Sequence, residues 1–144
     1  MQKCILFFEK YPGVLSVDIE KELEHDLEML RKFSENNRTD STEDFISSAR
    51  KAIEAAKKEN IDVSNQEIEL LELEKNVRRL AVEKSVQKLR DLKDGKSERE
   101  VGFIPGVIER GEQNISWAKE NGVDVSDLEK EFNDLLEKLR KGEN

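Results

Sequence analysis

The chain has 144 residues, 40% of them charged against 35% apolar, and carries a formal net charge of −8. This balance argues against general affinity for nucleic acid or anionic membranes. One cysteine, Cys4, and one histidine, His25, can form neither an internal disulfide nor a thiolate metal site, so a reducing, cytoplasmic setting is expected.

The first predicted helix has only about ten residues and ends at Gly13. Within it the apolar run Cys4 to Phe8 is too short to span a bilayer, and no small-residue cleavage site follows. The chain therefore reads as neither secreted nor membrane-spanning. A second helix is expected from Ser16 or Asp18, because Val17 stands in the column where later copies of the pattern have a capping serine. Next, Ile46, Ala49, Ile53 and Ala56 form a narrow apolar seam at three- and four-residue spacing, ended at Asn60. Ser64 and Glu67 then have capping-box spacing and open a helix of about 30 residues, some 45 Å long at about 1.5 Å per residue. Its stripe moves: Leu70, Leu73, Val77 and Leu80 share one face, whereas Val82, Val86 and Leu89 lie well around the helix. Its two halves should therefore pack on different neighbours.

Gly95 ends the long helix, and Ser97 with Glu100 gives another capping box. The seam recurs in Val101, Ile104, Ile108, Gly111, Ile115 and Ala118, with small residues allowing close helix approach. Pro105 belongs at a first helical position, a kink being the alternative. Gly102 and Gly106 signal close packing at most. Gly122 ends this helix, and Ser126 with Glu129 opens the last one, which stops at Lys141.

These elements repeat. Residues 45–79 align without gaps on 107–141 at an offset of 62, matching Asp62-Val63-Ser64 with Asp124-Val125-Ser126; residues 5–32 align on 114–141 at an offset of 109. The expected architecture is all-α, about three antiparallel helical hairpins in copies near 1–37, 41–94 and 97–141, forming one domain as a bundle or short α-solenoid. Columns that stay apolar should be core: Leu6, Ile53, Ile115; Val14, Ile61, Val123; Leu23, Leu70, Phe132; and Leu30, Val77, Leu139. The column Gly13, Asn60, Gly122 holds residues that tolerate the left-handed conformation ending a helix. The columns Lys10, Lys57, Lys119; Glu20, Glu67, Glu129; Glu22, Glu69, Glu131; and Arg31, Arg78, Arg140 stay charged, which favours capping and salt bridges over a repeated binding stripe. Both end copies look trimmed, as shortened caps or as a piece of a longer array.

No catalytic residue, cofactor or metal site is expected. Glu22 and His25 have the Glu-x-x-His spacing of di-iron bundles, but such sites need two of these motifs. No phosphate loop and no Gly-x-Ser-x-Gly occurs, and Cys4 has no histidine close in sequence to activate it. From Lys75 to Arg99 basic residues outnumber acidic ones nine to four. Lys75, Arg78, Arg79, Lys84, Lys88, Arg90 and Lys93 are thus the candidate contacts for a polyanion or an acidic partner. Phe7, Phe8 and Tyr11, in a short terminal helix, are candidates for self-association. Abundant Lys and Glu with scarce Cys and Met is a bias shared with thermophile proteins.

Tetratricopeptide arrays are similar in kind, but their period is much shorter and their Trp/Gly/Tyr/Pro signature is absent, so no family is assigned. The functional expectation is a non-enzymatic scaffold or protein–protein interaction module, partnered by another protein or by itself. A nucleic-acid-binding regulator using Lys75 to Arg99 is the alternative.

Overall fold

The computed structural model of the chain describes residues 12–142, with side chains described from residue 18 onward. Among these residues the fold is entirely helical: α1 (Pro12–Glu35), α2 (Thr42–Lys58), α3 (Ser64–Lys93), α4 (Glu98–Val101), α5 (Ile104–Glu120) and α6 (Ser126–Arg140). None of the described helices is long and apolar enough to cross a membrane. The chain groups into two compact units, residues 1–74 and 75–144, and α3 contributes residues to both.

The expected turn at Gly13 is corrected, since α1 begins at Pro12 and runs through Gly13. The reason lies in the matched columns. Where the later copies have Asp62 and Ser64, or Asp124 and Ser126, the first has Leu15 and Val17, which offer no oxygen to interrupt and restart a helix. The expected start at Ser16 or Asp18 is corrected with it, because both residues lie inside a helix that begins at Pro12. The remaining stops are as read. Asn60 (φ 57°) and Gly122 (φ 72°) are left-handed, and Ile61 N donates to Ala56 O at 2.9 Å as Val123 N donates to Ala118 O at 2.8 Å. These are the long-range bonds of a Schellman cap. Gly95 (φ 101°) closes α3 in the same way, with Lys96 N donating to Asp91 O at 3.0 Å.

The starts of α3 and α6 use a different device from the expected capping boxes. Asp62 Oδ1 accepts from Ser64 N and Oγ at 3.0 and 2.6 Å, and Asp124 Oδ1 accepts from Ser126 N and Oγ at 3.1 and 2.7 Å. Each serine hydroxyl is a donor to the aspartate two residues earlier, a local turn that competes with serine capping. Ser97 does cap α4, its Oγ accepting from Glu100 N at 3.4 Å. Pro105 is the second residue of α5, within the first turn where its missing N–H costs nothing.

In unit 1, α1 and α2 pack together. Ile19, Leu23, Leu27, Leu30 and Phe33 are buried on α1, and the seam Ile46, Ala49, Ile53, Ala56 is buried on α2. Phe33 meets Phe45 edge-on at 5.4 Å. In unit 2, Val82, Val86 and Leu89 of α3 share a core with Val107, Ile115 and Ala118 of α5 and Phe132, Leu135 and Leu136 of α6. The residues of α3 up to Glu74 thus belong to unit 1 and those from Lys75 to unit 2. The α5 seam is shifted from expectation: Val107 is buried, while Ile104 and Ile108 are half-buried. Its close approach is at Gly111, where an added Cβ would lie 2.5 Å from the Phe132 ring and 3.3 Å from Ser85 Cβ. Gly102 meets nothing within 4 Å, and Gly106 faces only Phe103 and Arg110, so that pair does not mark close helix packing.

Candidate functional site

The offset of 62 residues places a groove at matched positions in each unit. In unit 1, Ile53 of α2 and Leu70 of α3 lie among the residues lining a groove of about 580 Å³, with Arg50, Glu54 and Lys57 along α2 and Glu67, Ile68, Leu71 and Glu74 along α3. In unit 2 the corresponding groove of about 340 Å³ is lined by Ile115 and Phe132, with Lys119, Glu129 and Asn133.

One ion pair recurs at both grooves. Lys57 Nζ meets Glu67 Oε2 at 2.8 Å, and Lys119 Nζ meets Glu129 Oε2 at 3.2 Å. These two Lys–Glu pairs therefore tie consecutive helices together across the cap, α2 to α3 and α5 to α6. Glu69 is held by α1: Arg31 donates to both of its oxygens at 2.5 and 2.6 Å. That hydrogen bond keeps the Glu69 carboxyl below the usual carboxylate range, and with Glu24 it raises Arg31 above its ordinary value. In unit 2 the equivalent Glu131 takes Arg90.

The linings differ. Among the described residues, Ile68, Leu71 and Phe103 are the exposed large hydrophobics, Ile68 at 63% and Leu71 at 41%. Two of the three therefore stand on the groove of unit 1. Their matched positions in unit 2 are Lys130 and Asn133, and in the first copy Lys21 and Glu24. At one end of the same groove Glu74, only 1% exposed, takes an ion pair from Arg50. Its matched positions are Leu27 and Leu136. Burying a carboxylate is costly unless it is paired, so Arg50 is fixed where it stands.

The basic residues of the segment Lys75 to Arg99 have separate fates. Arg78 donates to Asn114 Oδ1 at 3.1 Å and stacks 5.4 Å from the centre of the Trp117 ring. Arg79 lies 3.7 Å from Glu83, and Arg90 is engaged by Glu131 and Gln87. Lys75 is also engaged by a neighbouring group. Lys84, Lys88 and Lys93 are half-buried and in no ion pair among the described residues. The three arginines thus spend their charge inside unit 2.

Phe7, Phe8 and Tyr11, with Cys4, lie outside the described residues. His25 packs against Phe45 at 6.4 Å between ring centres. No group of His, Cys, Asp or Glu among the described residues could hold a metal ion.

Sequence reading missed Ile68, Leu71 and Glu74, although the signal was present. Each is a reversal within its column: apolar where the other copies are polar, or acidic where they are leucine. Asp26 is a further reversal, matched with Leu73 and Leu135; it is 4% exposed and its Oδ2 has no hydrogen-bond partner. Comparison with protein-family models, with characterised proteins and with solved structures finds no match to this chain.

Proposed function

We propose that this chain is a non-enzymatic helical-repeat interaction module of the cytoplasm, built on three copies of one helix pair, and that the groove between α2 and α3 is its working face. The observation that carries this reading is the exposure of Ile68 and Leu71 beside the groove floor formed by Ile53 and Leu70. Contiguous exposed apolar side chains rimmed by polar ones are the usual mark of a protein-binding surface. The polar residues in the same columns of the other copies support it, because the frame does not need apolar side chains there. The arrangement offers recognition: an apolar strip bordered by charged side chains.

Photo-crosslinking tests the reading. A benzoylphenylalanine at position 71 should give discrete protein adducts in cells, and one at the matched position 133 should give none. Equal labelling from both positions, or none from either, removes the groove as a working face.

A further inference from the structure

We infer that the partner seated in the groove of unit 1 presents a basic amphipathic helix; this rests on the reading above and adds the chemistry of the partner.

The shape of the groove argues for a helix. Two helices with a floor of Ile53 and Leu70 leave a furrow of about 580 Å³ between them, and Ile68 and Leu71 stand one turn apart along it. An amphipathic helix laid in such a furrow presents apolar anchors at three- and four-residue spacing, which is the period of the rim it meets. An extended strand has no edge to pair with, since the described residues form no sheet.

Charge selects the sign of the partner. Unit 1 holds 18 acidic against 10 basic side chains, a balance of −8, whereas unit 2 holds 15 of each. The whole formal charge of the protein therefore resides in the unit that carries the apolar groove. Within the lining, Arg50 is taken by Glu74 and Lys57 by Glu67, which leaves Glu54, exposed on the α2 rim, in no ion pair among the described residues. A lysine or arginine on the partner's flank meets this carboxylate, and the field of the unit speeds the encounter. A second copy docked by the same face would set two such acidic surfaces against one another, a like-charge juxtaposition that opposes association. An anionic membrane or a nucleic acid is repelled by the same field.

The test uses the full chain and two labelled helical peptides of identical leucine spacing, one with lysines on its polar face and one with glutamates. By fluorescence anisotropy at low salt the lysine peptide should bind at least about tenfold more tightly than the glutamate peptide. Ile68→Gln with Leu71→Asn, both at exposed positions, should weaken it by about tenfold or more while leaving the circular-dichroism melt in place. Glu54→Gln should cost a few-fold and reduce the salt dependence. Equal affinity for the two peptides, or binding indifferent to the Ile68/Leu71 change, overturns the inference, as does sedimentation showing the groove filled by a second copy. If position 71 crosslinks to a protein but the lysine peptide fails to bind, the basic-helix chemistry is discarded and the interaction module stands. Failure of both experiments removes both.

Discussion

The pair α2–α3 and the pair α5–α6 share a frame and differ in what fills it. Both stop their first helix with a left-handed residue, restart the second with an aspartate holding a serine two residues on, and bridge the two helices with one Lys–Glu contact. Inside, unit 1 has Ala49 and Leu70 where unit 2 has Gly111 and Phe132. The larger ring of unit 2 is matched by the loss of a Cβ opposite it, a compensation expected where interiors are close-packed. Outside, Ile68 and Leu71 face Lys130 and Asn133 as counterparts. Helix ends define the unit, and the linings can diverge so long as volumes compensate within.

The largest expected effect tests the cores. Phe132→Ala should destabilise unit 2 by about 3–5 kcal/mol and Leu70→Ala should cost unit 1 about 2–5 kcal/mol, read from urea unfolding at constant slope. A near-zero cost for either would show that its column is not core. Gly111→Ala comes next. A methyl pressed against the Phe132 ring should cost about 1–3 kcal/mol despite the better helix propensity of alanine. Combining it with Phe132→Leu, which restores the residues of unit 1, should recover most of the loss. Without that recovery, Gly111 and Phe132 do not compensate one another.

The smallest effect concerns pH and should be nearly equal in the two units. The Ser64 hydroxyl and then its N–H hold the Asp62 carboxyl below its ordinary 3.8, and Ser126 does the same for Asp124, with a lesser contribution from Arg79. A carboxyl lowered by folding adds stability above the unfolded value and loses it as pH falls through the folded one. Stability should therefore drop as pH falls below 3.8, and Asp62→Asn or Asp124→Asn should flatten that drop. Arg79→Gln should bring the two sites closer together. A slope unchanged in both asparagine variants would show that the aspartates do not anchor these helix starts.

Much of this architecture was legible in the residues because helix ends are local. Asn60, Gly95 and Gly122 are recognisable from conformational preference alone, and the seam from Ile46 to Ala56 from its spacing. What resisted reading were choices between near-equivalent chemistries. Glycine permits a left-handed turn without compelling one, and with Leu15 and Val17 in place of aspartate and serine the helix runs on through Gly13. Ser64 and Ser126 donate to an aspartate where capping-box spacing suggested that they would accept, freeing Glu67 and Glu129 for lysines. On α5, a rotation of one residue buries Val107 in preference to Ile108, a choice made by packing against α6 and α3. Composition marks the basic stretch, but sequence does not show that Arg78 turns to Asn114 and Arg90 to Glu131. The groove stayed hidden because its residues stand where the aligned segments disagree, whereas the frame stands where they agree.

The identical helix-start triplets, Asp62-Val63-Ser64 and Asp124-Val125-Ser126, carry a genetic consequence. A recombination joining the first triplet to the sequence that follows the second would delete 62 residues while leaving a complete stop, turn and start between α2 and α6. The reciprocal event would add the same length in frame, with every helix still capped. Natural variation in the length of this chain should therefore come in whole steps of that cassette, and shorter insertions should be confined to the turns.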